Sequence, residues 1–150
     1  MLVAFQTALA DMTASPELTR EVRREPETLR ERYVLTDREW RQLVGVARSN
    51  GMQANCMLYR ANRLAPVALN LPDLCDALRD ELPELLSAYW ESEPITDVHF
   101  IVETDRFCRF LKARGGLSEA VCAILEREHA VVAARLAASR SVARPPLARA

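Results

Sequence analysis

The sequence predicts an all-α fold, a compact bundle of about eight short helices followed by a disordered basic C-terminal tail. Three observations lead there. Apolar residues recur at spacings of three and four, the period of one helix face. Capping residues, prolines and glycine pairs mark starts and stops at intervals suited to short helices. No alternating apolar and polar run is long enough for a half-buried strand. The 150 residues are 49% hydrophobic with only 4 Gly, so a packed core is expected. The expected organisation is a single helical domain over residues 1–140 and a flexible tail over 141–150.

Each element has its own signal. Leu2, Phe5 and Leu9 mark one face of a first helix. Ser15-Pro16-Glu17 is an N-cap followed by proline at the first helical position, with Leu18 and Val22 inward. Pro26 is expected to start another helix, with Leu29 and Tyr33 inward. Thr36 and Glu39 form a capping box ahead of Trp40, Leu43, Val44 and Ala47. Asn50-Gly51 is expected to end that helix. The next runs from about Gln53 to Leu64, where Pro66 should end or kink it. Leu74, Cys75 and Leu78 face inward after Asn70-Leu71-Pro72. Pro83 opens a helix bearing Leu85, Leu86, Tyr89 and Trp90, and Pro94 closes it. Thr96 or Asp97 is expected to cap a helix from about Val98 to Arg114. His99-Phe100-Ile101-Val102 suits a short strand, but Phe107, Phe110 and Leu111 favour helix. Gly115-Gly116 breaks it, and Ser118 caps the last and longest helix, to about Ser139.

Charge and cysteine usage narrow the function classes. Net charge is −1, unevenly spread. Residues 71–97 carry eight acids against Arg79 alone, and the tail from Arg135 carries four arginines and no acid. A nucleic-acid binder usually shows a basic excess, so the acidic middle disfavours that partner. Of 20 basic residues only Lys112 is lysine, which points to a GC-rich coding sequence rather than selection for guanidinium. Cys56, Cys75, Cys108 and Cys122 lie 19, 33 and 14 positions apart with no CxxC. Each is placed among apolar residues on a helix, as free thiols in a reducing cytoplasm would be. The N-terminus lacks a basic n-region and its apolar run is short. Neither a signal peptide nor a membrane span is expected.

Gly51–Asn70 holds the most informative pattern. Leu58, Leu64, Val67 and Leu69 are available to pack inward. Asn55, Tyr59, Arg60, Asn62 and Arg63 crowd amides, a phenol and guanidinia into nine positions without an acid. That set suits the carboxylates and backbone amides of a partner chain. A second candidate surface is Tyr89-Trp90 with the following His99-Phe100. Aromatics at a helix end either close a core or anchor an interface. Glu126 and His129 have the E-x-x-H spacing of di-iron carboxylate bundles, but those need a second copy, and His99 has no Glu three positions before it. The simpler reading is a surface ion pair or a core-edge histidine. No metal, cofactor or catalytic residue is therefore assigned to this chain. No G-x-S-x-G or glycine-rich phosphate loop is present, and no cysteine has an adjacent basic partner suited to lowering a thiol pKa. Thr36–Ala65 has lengths compatible with a helix-turn-helix, in which Asn55, Arg60 and Arg63 would read bases.

Tyr59-Arg60-Ala61-Asn62-Arg63-Leu64-Ala65-Pro66, with Leu71-Pro72 after it, resembles the small partner subunits of multinuclear non-haem iron oxidases. Those oxidases modify cysteine in ribosomally made peptides, as in 3-thiaglutamate and methanobactin biosynthesis. Tyr89-Trp90, Pro94, Thr96-Asp97-Val98-His99-Phe100, Phe107 and Phe110-Leu111 resemble the second half of the same proteins, so the similarity runs from about Phe5 to Leu111. The methanobactin-type partner carries a strand-containing peptide-recognition part with no clear equivalent strands in this sequence, so the resemblance is stronger to the 3-thiaglutamate type.

The resemblance implies a non-catalytic accessory subunit in a heterodimer. The iron would sit in a larger barrel-type oxidase subunit, and this chain would bind that subunit and position the precursor peptide. Asn55, Tyr59, Arg60, Asn62 and Arg63 would hydrogen-bond the oxidase or the leader backbone, and Tyr89, Trp90, His99 and Phe100 would supply an apolar anchor. Ser15-Pro16-Glu17-Leu18, Pro26-Glu27, Leu35-Thr36 and Glu39 also resemble the small helical subunit of extradiol dioxygenases. That subunit and a helix-turn-helix regulator are the alternative readings.

Overall fold

A computed structural model describes residues 2–142 except 95, 97 and 98. Among the described residues the regular structure is entirely helical. The helices are α1 (Leu2–Ala14), α2 (Pro16–Arg24), α3 (Thr28–Arg32), α4 (Asp37–Arg48), α5 (Asn50–Asn70), α6 (Pro72–Leu78), α7 (Leu82–Ser92), α8 (Phe100–Arg114) and α9 (Glu119–Val142). They group into two compact units, Met1–Asn62 and Arg63–Ala150, and α5 supplies a segment to each. No helix among the described residues is long and apolar enough to cross a membrane. The expected tail lies outside the described residues beyond the end of α9, as do Asp97 and Val98.

In the first unit, α2 packs on α1 and α4. Ala8, Met12, Leu18, Val22, Leu29, Leu43, Val44, Ala47, Met52 and Cys56 form its interior. Two of the sequence-predicted caps close as expected. Ser15 accepts from the Leu18 N–H at 3.1 Å. Thr36 accepts from the Glu39 N–H at 3.3 Å, while the Glu39 carboxylate takes the Thr36 N–H at 2.8 Å. Those bonds from Thr36 hold the Glu39 carboxyl below the usual carboxylate range. Larger side chains are tethered at their polar ends. Trp40 donates to the Pro26 carbonyl at 3.0 Å beneath the Arg30 guanidinium, and the Tyr33 hydroxyl donates to Asp11 at 2.7 Å.

In the second unit, α9 packs on α6 and α8, and α7 packs on α8. Val67, Leu71, Leu74, Leu78, Leu85, Leu86, Tyr89, Phe107, Cys108, Leu111, Leu125 and Val132 are its buried apolar set. Phe107 meets Tyr89 edge-on at 5.4 Å. The α8–α9 turn depends on Gly115, at φ 67° and ψ −164°, a region that a Cβ makes costly. Ser118 then accepts from the Val121 N–H at 3.3 Å.

Several expectations are corrected. Asn50-Gly51 does not end α4. Ser49 alone separates the two helices, and its hydroxyl accepts from the Met52 N–H at 3.2 Å, so Asn50 and Gly51 lie in the first turn of α5. Nor does Pro66 end α5. It deletes one ladder bond, at a cost of about 3 kcal/mol. Burying Val67 and Leu71 beyond it recovers about 1.5–3 kcal/mol each. The Pro66 carbonyl takes the side chains of Asn70 at 2.7 Å and Thr104 at 3.0 Å. Leu58 and Leu69 do not pack inward and are 60% and 72% exposed. Each lies two residues, about 200° of helix, from the buried Cys56 or Val67. The third helix starts two residues after Pro26, at Thr28. Cys122 is exposed rather than apolar-packed, and all four cysteines are free thiols.

Two outcomes follow. Gly115→Ala should lower unfolding free energy by about 1–3 kcal/mol in a urea titration, because the new Cβ must hold a glycine-only backbone angle. Burial first, and the Asp11 bond second, push the Tyr33 hydroxyl up to about 12. Tyr33 therefore contributes stability that is present below the phenol's ordinary value near 10 and is lost as pH rises through about 12. In a ring-resolved NMR titration, Asp11→Asn should lower the Tyr33 midpoint while burial keeps it above the ordinary value.

Candidate functional site

In the first unit, α2 and α5 frame a cleft. Residues three or four apart share a helix face. Pro16, Thr19, Arg20 and Arg23 line it from α2, and Gln53, Cys56, Met57 and Arg60 line it from α5. Its volume is about 360 Å³. Glu17 stands at its edge and pairs with Arg20 at 2.9 Å and with Arg60 at 2.7 Å. Burial opposes ionisation of Glu17, but its own backbone N–H, Arg60 and Arg20 outweigh it and hold the carboxyl below its usual range. Arg23 is exposed and makes no ion pair among the described residues. Deeper in, the Cys56 thiol donates to the Met12 carbonyl at 3.3 Å, and the Thr19 hydroxyl donates to the same oxygen at 2.7 Å.

Beside the cleft, and sharing Met57 with its lining, this α5 segment carries a second apolar stripe. Ala54, Met57, Leu58 and Ala61 are all exposed, at positions i, i+3, i+4 and i+7. Asn55 and Asn62 are exposed beside it, and Tyr59 is half-buried. A soluble helix ordinarily puts charge on such a face. This one shows methionine and leucine at 68% and 60% exposure, flanked by carboxamides.

The second unit holds its polar groups inside. Arg63 and Glu103 are almost fully buried and bond at 2.6 Å. The Arg63 guanidinium stacks on the Tyr89 ring at 5.1 Å, and the Thr96 hydroxyl donates to the other Glu103 oxygen at 3.3 Å. Burial and the Glu103 charge together push the Tyr89 hydroxyl far above its ordinary value. His129 bonds Asp105 at 2.7 Å, and Asp105 also pairs with Arg109 at 2.9 Å. Glu128 accepts from the Asp73 and Leu74 N–H groups at 3.2 and 3.0 Å. That carboxylate caps α6, whose own N-cap residue, Leu71, has no side chain able to do so. Burial and Asp105 push the Cys108 thiol up to about 12, and burial and Glu128 raise Cys75. Neither is an activated nucleophile.

These placements sort the residues singled out from sequence. Asn55, Arg60 and Asn62 reach the surface of the first unit, with Tyr59 half-buried among them. Arg63 is turned into the second unit and tied to Glu103. Tyr89 is fully buried against Phe107 and Phe110, Trp90 is half-buried on the same core, and His99 and Phe100 are exposed at the start of α8. The E-x-x-H pair divides, with Glu126 on Lys112 and His129 on Asp105. Among the described residues no three His, Cys, Asp or Glu side chains converge as a metal site would require. The single-residue junction at Ser49 is shorter than the three- or four-residue turn of a helix-turn-helix.

Sequence reasoning passed over Arg20, Arg23 and Gln53 and the interior acids Asp105 and Glu128, and gave Glu103, four positions after His99, only the orientation of that imidazole. Part of that was legible. Phe100, Glu103, Phe107 and Leu111 share one helical face, so Glu103 interrupts an apolar stripe. Comparison with protein-family models, curated proteins and solved structures finds no match to this chain.

The buried pair sets a stability prediction. Glu103→Gln leaves the Arg63 guanidinium buried without its counter-charge and should cost about 3–5 kcal/mol in denaturant unfolding. Replacing both, as Arg63→Met with Glu103→Leu, should cost clearly less than the sum of the single changes, because no charge is then stranded.

Proposed function

We propose that this chain is a non-catalytic accessory subunit that binds a larger, barrel-type non-haem iron oxidase and positions a ribosomally made precursor peptide for cysteine modification. The observation that carries the reading is the outward stripe Ala54, Met57, Leu58 and Ala61, bordered by Asn55 and Asn62. An apolar stripe at helical spacing is how a helix lies in a partner's groove. Methionine adapts well to such a groove, and carboxamides satisfy the groove's backbone groups at the rim. The Tyr59-to-Pro66 and Tyr89-to-Leu111 resemblance gives the partner its chemical class. The acids and the histidine inside the second unit are occupied in structural pairs, which supports a reading in which the redox chemistry and its iron belong to the partner.

In the first unit the partner-facing residues are Asn55, Tyr59, Arg60 and Asn62. In the second unit the exposed His99 and Phe100 offer an anchor, Phe100 at 53% exposure. Binding energy concentrates in a few such side chains.

The test starts from the neighbouring genes, where a barrel-type oxidase and a short precursor are expected, and continues with co-expression of the three chains, size-exclusion chromatography and iron analysis. A stable complex with iron in the oxidase is expected. A chain that elutes alone beside an intact, iron-loaded oxidase would sink the proposal. Leu58→Asp should weaken the complex at least about tenfold by biolayer interferometry. Its own stability should move by no more than about 0.5 kcal/mol, because the side chain is exposed.

A further inference from the structure

We infer that the α2–α5 cleft of the first unit is a carboxylate subsite that receives an acidic side chain of the precursor peptide. This rests on the peptide-presenting role proposed above. The lining is suited to an anion with an aliphatic stem. Arg20, Arg23 and Arg60 contribute three guanidinia, Gln53 adds a carboxamide, and Pro16, Cys56 and Met57 provide apolar wall. Guanidinia bind carboxylates through paired, charge-assisted hydrogen bonds. A volume of about 360 Å³ is at the small end of ligand pockets and fits one side chain with its flanking backbone.

Glu17 shows how the site works. It already bridges Arg20 and Arg60, so a carboxylate of this chain occupies part of the arginine set and holds it in place. Arg23 faces the same cleft with no ion-pair partner among the described residues. Three arginines against one glutamate leave an excess of two positive charges on the rim. An incoming carboxylate engages Arg23 and the outer edge of Arg20, next to the Glu17 bridge. Glu17 is then both a positioning group and an internal competitor, which keeps the site from holding its ligand too long for release after modification.

The test uses the full chain and two fluorescein-labelled peptides, one carrying Leu-Glu-Leu and one carrying Leu-Gln-Leu, by fluorescence anisotropy. The Glu peptide is expected to bind at least about tenfold more tightly than the Gln peptide. Arg23→Gln should weaken it about five- to tenfold and Arg23→Lys by less, because lysine keeps charge without the fork. Glu17→Gln should tighten it about three- to fivefold by removing the competitor, whereas a merely structural Glu17 would give no gain. Arg48→Gln, an exposed arginine at the end of α4 outside the cleft, should change nothing. Thermal melts of each variant confirm folding.

Equal binding of the two peptides, or of neither, overturns the assignment. So does the same loss from Arg48→Gln, which would mark a diffuse charge field. Displacement by inorganic phosphate at concentrations comparable to the Glu peptide overturns it in favour of a phosphate site. Self-association that Arg23→Gln abolishes overturns it in favour of the acidic stretch of a second copy. Failure of the oxidase complex with intact Glu-peptide binding would strike the proposed role instead. An intact complex without Glu-selective binding would strike only the subsite.

Discussion

The Arg63–Glu103 pair is the constraint around which the second unit is built. Two opposite charges sit out of water, 2.6 Å apart, with the Tyr89 ring against the guanidinium and the Thr96 hydroxyl on the carboxylate. Removing two ions from water costs several kcal/mol each, and the mutual attraction repays this only when geometry is good and other lone pairs are satisfied. Tyr89 and Thr96 meet part of that condition, while one terminal nitrogen of Arg63 stays buried without a hydrogen bond among the described residues. Such a pair adds little net stability over an apolar one, but it fixes how α5 and α8 register. A one-turn slip would strand both charges.

The same device recurs at smaller scale along α8 and α9. Asp105 binds His129 and Arg109, and Glu128 caps the bare start of α6 from a distance of more than fifty residues in sequence. Polar groups that look reactive on paper thereby become fasteners.

The physical logic reverses in the first unit, which buries a plain apolar interior and ties Tyr33 and Trp40 at their polar ends. Its arginines stay at the rim of a cleft, and α5 presents Met57 and Leu58 to solvent. Leaving such area in water forgoes about 25 cal/mol per Å² of burial, which the partner proposed above would recover by covering it.

Local chemistry was sufficient for the helices. The Ser15, Thr36 and Ser118 caps and the Gly115-Gly116 stop act on backbone groups a few residues away, so they are readable in order along the chain. The all-α class and the stripes of α2, α4 and α8 followed from that. Tertiary packing decided what no local rule could. It carried α5 past Pro66, because burial of Val67 and Leu71 outweighs one lost hydrogen bond. It drew Arg63 inward, because Glu103, forty residues on, supplies the counter-charge. And it opened the cleft, because only the meeting of α2 with α5 brings Arg23 and Arg60 to one rim.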